Sequence, residues 1–162
     1  MSFGSHRYKA ALDRVAPLAR AGLVDGRGAC MLGVSLGSAN FEGARLEACI
    51  EWITANFTEY AIVVGDTVYR LTLALLGGLD EVAARHRAIA AGRDFIATYA
   101  PLFRQYVDRC TFTFRPFSEV ERHPGFANHL ATLQDLARKD PAFAASVEAF
   151  ADLYLARATS SM

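Results

Sequence analysis

Gly33-Val34-Ser35-Leu36-Gly37 spells G-x-S-x-G. That spacing lets a serine sit on a sharp strand-to-helix turn, its Oγ exposed and the following backbone amides placed to hold an oxyanion. Ser35 is therefore the candidate nucleophile. It needs a base or an already activated substrate. The bases on offer are His6, His86, His123 and His129. An α/β-hydrolase carries several strands before its nucleophile and then an acid and a histidine, in that order. Here only one strand fits before Ser35, and His123 or His129 would have to serve from a helical segment. A patatin-like variant wants its Asp-Gly dyad downstream, whereas Asp25-Gly26 lies just upstream. A small serine hydrolase built on GVSLG stays open as an alternative, as does the plainest reading, in which Ser35 is a turn or cap residue.

Other chemistries find less in the chain. The four histidines show neither H-x-x-x-H nor H-E-x-x-H spacing, so no metal is expected. Gly33 to Ser38 has the wrong glycine spacing for a dinucleotide site, and no cofactor is expected. Cys30, Cys49 and Cys110 are odd in number, far apart and set in apolar stretches, the pattern of free buried thiols in a reducing compartment.

The elements around Ser35 follow from hydrophobic spacing. Ala29 to Val34 is a short apolar run after a turn, a strand buried on both faces. From Phe41 to Phe57, apolar residues recur every three or four positions, predicting an amphipathic helix that Ser38 or Asn40 could cap. Tyr60 to Val64 predicts a second strand, and Gly65-Asp66-Thr67 a turn and cap opening a second helix. Leu79 to about Val107 reads as helical, with breaks at Gly92 and Pro101. Cys110 to Phe114 reads as a third strand. Ser118 with Glu121 forms a capping box, and Pro124 suits a first helical position. Asp140-Pro141 gives another cap. Phe126, Leu130 and Leu133 then fall on one helical face, and Phe143, Val147, Phe150 and Tyr154 on another.

Strands alternating with helices imply parallel pairing through right-handed crossovers. The expected fold is a small Rossmann-like three-layer α/β domain over residues 1–162, with a short parallel sheet of about three strands and a helical C-terminal third. Ligands in such sheets bind beyond the carboxyl ends of the strands, where Ser35, Asp66 and Thr67 fall. Lys plus Arg equals Asp plus Glu at 17 each, so a polyanionic partner would need a local patch. The N-terminus carries charges throughout, and Tyr60 to Leu79 is interrupted by Asp66 and Arg70. A cytoplasmic protein without signal peptide or membrane span is expected.

The ordered set Gly33, Ser35, Gly37, Phe41, Trp52, Phe57 and Asp66-Thr67 resembles the tRNA-dependent cyclodipeptide synthases, as does, more weakly, Phe114-Arg115-Pro116-Phe117-Ser118-Glu119. The resemblance implies a Rossmann-like fold similar to the catalytic domain of class I aminoacyl-tRNA synthetases. It makes Ser35 the residue that takes the aminoacyl group from aminoacyl-tRNA, and Gly33 a small residue lining the aminoacyl pocket. Met31, Gly37, Ser38, Asn40, Asp66 and Thr67 complete the candidate substrate-binding set, with capping as the other reading of Asp66 and Thr67. Trp52 and Phe57 are core.

The chain departs from that family at several positions. Ser38 stands where the family has asparagine, and no Y-x-x-x-E occurs anywhere. The expectation is that the chain, ending at Met162, stops before the later strands and the second-substrate pocket. Arg85, Arg87, Arg93, Arg104 and Arg109 are spread around a helical segment with Asp94 and Asp108 among them, a weakened basic patch for tRNA. The leading expectation is an aminoacyltransferase of natural-product biosynthesis, passing the acyl group from Ser35 to an amine or another small acceptor. A non-catalytic relative that binds a homo- or hetero-oligomeric partner is the alternative from a different class.

Overall fold

The computed structural model describes residues 8–10 and 28–160. His6, the charged N-terminal stretch and Asp25-Gly26 lie outside them. Three strands, β1 (Ala29–Val34), β2 (Glu59–Val64) and β3 (Thr111–Pro116), pair in parallel in the order β1-β2-β3. Helix α1 (Gly43–Asn56) connects the first two, and α2 (Asp66–Gly77) with α3 (Glu81–Arg104) connect the second pair. A short α4 (Phe117–Val120) leads to α5 (Phe126–Lys139) and α6 (Pro141–Ser160). This is the α/β order and the helical C-terminal third that the sequence predicts.

Strand alternation decides where the core sits. Val34, Tyr60, Ile62 and Val64 are buried, with Leu32, Phe112 and Phe114 packed beside them. Leu46, Ile50 and Ile53 of α1 and Phe95, Ile96, Tyr99 and Phe103 of α3 cover this face. Right-handed crossovers put both helices on the same side, which is why one face receives them. The Phe103 ring stands edge-on to Phe112 at 5.6 Å and to Phe114 at 5.0 Å. The opposite face carries Met31, Gly33, Ala61, Val63, Thr113 and Arg115. Met31 there is 72% exposed.

Several local expectations are corrected. The first helix does not start at Phe41: Ala39–Phe41 is a separate 3-10 turn, and α1 begins at Gly43, where φ of +50° lets the chain change direction. Ser38 caps the short turn, its Oγ accepting from the Asn40 N–H at 3.4 Å. Neither Gly92 nor Pro101 breaks α3. Gly92 is a close-packing position, and Pro101 lies near the last turn, where the loss of one intrahelical bond is tolerated. Pro124 precedes the helix that starts at Phe126, and Ser118 and Glu121 bond to other elements and not to each other. The Asp140 cap holds, its Oδ1 accepting from the N–H groups of Ala142 and Phe143.

Candidate active site

The β1–β2 ladder ends at Val34 paired with Val64, and the Gly65 N–H donates to the Val34 carbonyl at 2.9 Å. A Cβ on Gly65 would sit 3.1 Å from that carbonyl, so glycine permits the clamp. Ser35 follows at once, exposed. Its carbonyl accepts from the Ser38 N–H at 3.3 Å, and Gly37 adopts φ of +76° while Leu36 does not have positive φ. That is a type II turn, which requires glycine at its third position. Thus G-x-S-x-G here encodes a strand end and a turn whose Leu36 and Gly37 amides bond no other described residue. Among the described residues no side chain bonds Ser35 Oγ. His123 Nδ1 accepts from Gly125 N–H in its own loop, and His129 is exposed on α5, so neither completes a triad.

Beside Ser35 on the open face lies Gly33, where an added Cβ meets nothing within 4 Å. Register places Gly33, Val63 and Arg115 in one row and Met31, Ala61 and Thr113 in the next. Val63, Ala61, Thr113 and Arg115 escape sequence reasoning because their strands read simply as apolar runs. Odd-position parity with Ser35 is the signal that finds them once register is known. Ser38 is half-buried, and Asn40 is exposed with its Oδ1 accepting from Arg45 at 3.1 Å.

Asp66 and Thr67 are placed elsewhere than the open face. They are 1% and 0% exposed and join three helices. Asp66 Oδ1 accepts from the N–H groups of Thr67 and Ser118, each at 2.8 Å, and Oδ2 accepts from Ser118 Oγ at 2.6 Å. Thr67 Oγ1 donates to Glu121 Oε1 at 2.8 Å, and Arg85 pairs with Glu121 Oε2 at 3.0 Å. A Cβ on Gly92 would come within 2.6 Å of Asp66 Cβ, so α3 passes the α2 N-terminus at a distance only glycine allows. A carboxylate at a helix N-terminus with three donors is well compensated for burial. These hydrogen bonds describe a lock that fixes α2. Ser118, Glu121, Arg85 and Gly92 join it across the chain, and local sequence gave no sign of that.

The thiols sit on the core face, away from this edge. Burial pushes Cys30 up to about 11, and also raises Cys49, Cys110 and the phenol of Tyr60. The three thiols are free and held protonated, so none of them is a ready nucleophile. Among the described residues no group of three His, Cys, Asp or Glu side chains could hold a metal ion, and no helix is long and apolar enough to cross a membrane. The arginines Arg87, Arg93, Arg104 and Arg109 are exposed, whereas Arg85 is bound to Glu121.

Comparison with solved structures supports the fold. A cyclodipeptide synthase from Fluoribacter dumoffii matches with TM-score 0.82 at 21% identity, over 95% of this chain and 67% of that one. A Mycobacterium tuberculosis protein, whose structure is described as demonstrating that cyclodipeptide synthetases are related to type I tRNA synthetases, matches with TM-score 0.67 at 21% identity, over 97% of this chain and 70% of that one. A cyclodipeptide synthase from Staphylococcus haemolyticus matches with TM-score 0.64 at 16% identity, over 91% and 66%. The chain thus spans about two thirds of the length of these structures. A search of curated proteins finds no match. The family model for cyclodipeptide synthases matches residues 20–161. With that match across most of its length, the chain belongs to the cyclodipeptide synthase family.

Proposed function

We propose that this protein is an aminoacyltransferase that loads an aminoacyl group from aminoacyl-tRNA onto Ser35 and passes it to an amine. The observation that carries this reading is Ser35 itself, exposed on a turn clamped to the sheet, next to the open space over Gly33. In the first step Oγ attacks the ester carbonyl carbon. The Oγ–C bond forms, the bond to the ribose oxygen breaks, and the serine proton ends on that oxygen. In the second step the acceptor nitrogen attacks, the N–C bond forms, Oγ leaves and an amine proton returns to it. Exchanging one ester for another and then for an amide runs downhill without a cofactor, and an activated ester lowers the demand for a triad base. The unspent amides of Leu36 and Gly37 suit the oxyanion of each step. The face of Gly33, Met31, Ala61 and Val63 would receive the amino-acid side chain.

Intact mass after incubation with aminoacyl-tRNAs, made by charging bulk tRNA with all twenty amino acids, tests the reading. An aminoacyl adduct on the native chain and none on Ser35→Ala is expected; an equal adduct on the variant overturns it.

A second reading, a partner-binding relative, is favoured by one observation. Among the described residues β1 is paired on one side only and Met31 beside that edge is exposed, and such edges invite association. Sedimentation showing a monomer at all concentrations counts against self-association.

A further inference from the structure

Resting on that reading, we propose that the hydroxyl of Tyr69 is a further catalytic group, donating a hydrogen bond to the carbonyl oxygen of the acyl group as Ser35 is loaded. Tyr69 is the fourth residue of α2, and its N–H donates to the Gly65 carbonyl at 3.1 Å. Gly65 in turn donates to Val34, the residue before Ser35. Tyr69 therefore stands one helical turn beyond the clamp that holds the Ser35 turn. Its polar end faces that turn: the position of a Cβ on Gly37 lies 3.2 Å from Tyr69 Oη, 3.3 Å from Cε2 and 3.5 Å from Cζ. Glycine at 37 thus serves twice, supplying the positive φ and leaving room for the phenol.

The hydroxyl bonds no described residue, although the ring is half-buried. A phenol in such a setting usually finds a polar partner. Here the neighbour it approaches is Gly37, in the turn that carries the nucleophile. The mounting is rigid, because the α2 N-terminus is locked by Asp66 to Ser118, by Thr67 to Glu121, and by Gly92 of α3 pressed against Asp66. Preorganised donors aimed where charge develops lower a barrier without reorganisation, and one such donor is worth ~100-fold in rate. The Tyr69 proton stays on its own oxygen throughout, so the bonds made and broken are those of the transfer from the ribose oxygen to Ser35 Oγ alone.

The experiment measures single-turnover acylation of Ser35 by intact mass, against increasing concentrations of aminoacyl-tRNAs charged from bulk tRNA. Tyr69→Phe keeps the ring against Gly37 and removes the donor. Its saturating rate is expected to fall ~100-fold, with the half-saturating concentration and the melting temperature unchanged. 3,5-Difluorotyrosine at position 69, whose phenol ionises at lower pH, is expected to move the alkaline loss of rate to lower pH. A Tyr69→Phe protein that acylates at the native rate overturns the role of Tyr69 and leaves the acyl-enzyme reading standing. Native protein that forms no adduct overturns both. If Tyr69→Phe lowers rate and melting temperature together, the difluorotyrosine protein decides, and a pH profile identical to the native one overturns the proposal.

Discussion

Gly33 offers a test in which stability and activity move apart. Because an added Cβ there touches nothing, Gly33→Val fits the fold, and a β-branched residue suits a strand better than glycine does. The expected result is a melting temperature equal to or above the native one, with acylation of Ser35 reduced at least ~10-fold, since the valine would fill part of the space proposed for the aminoacyl side chain. A native acylation rate would remove Gly33 from the site. Cys30 gives a pH prediction from the opposite end of the residue scale. Its thiol is raised from 9.0 to about 11 by burial, so the folded state holds the proton more tightly than the unfolded chain. Stability is then full below pH 9 and falls as pH rises from 9 to 11. Thermal melts across that window should show the decline, and Cys30→Ala should flatten part of it. The strand end at Val34 and the turn after Ser35 were legible because strand, turn and glycine are local signals. Tyr69 was not, because a tyrosine in an amphipathic helix reads as packing until the loop it touches is known.

At the scale of elements, α2 is held by partners far away in sequence. Gly92→Ala would drive a methyl into Asp66 Cβ at 2.6 Å, a contact the backbone can relieve only by separating α2 from α3. Despite the higher helix propensity of alanine, a loss of ~2 kcal/mol is expected from overpacking, read as a lower urea midpoint. A stabilised variant would show that the two helices part freely. The C-terminal helix leans on the same element through a hydrogen bond between the Tyr154 and Thr72 hydroxyls. Tyr154→Phe is expected to speed hydrogen exchange in α6 while leaving β1 and β2 protected. Strands and the Asp140 cap were readable from spacing. Propensity alone makes Gly92 a helix breaker because it sees only its own helix, and the reason for glycine there lies on the neighbouring one. The local pattern puts Asp66 and Thr67 at a helix start, where the structure has them, but their partners Ser118 and Glu121 come 52 and 54 residues later, beyond any local pattern.

Over the whole molecule, charge is balanced, so any affinity for tRNA must come from a patch. Arg93 and Arg104 are exposed and lie about 20° apart around α3 at 3.6 residues per turn, forming one stripe. Reversing both to glutamate is expected to weaken tRNA binding and to lower the slope of log affinity against log salt by about 2, with the melting temperature held. An unchanged slope would move the tRNA surface elsewhere. The parallel α/β architecture was evident from the alternation of elements. That no described helix covers the Gly33 face was not, since apolar strand runs predict burial on both sides, and only the shared hand of the two crossovers puts α1 and α3 together. The lock on α2 also sets an order of events as the chain leaves the ribosome. A nascent chain that has emerged as far as Gly65 carries every residue of the Ser35 turn and its clamp, yet α2 has no Ser118 or Glu121 to bind until some 50 further residues have followed. The residues of the turn thus emerge early and the partners that fix α2 beside it late, so a chain stalled in between would carry Ser35 without the lock that mounts Tyr69.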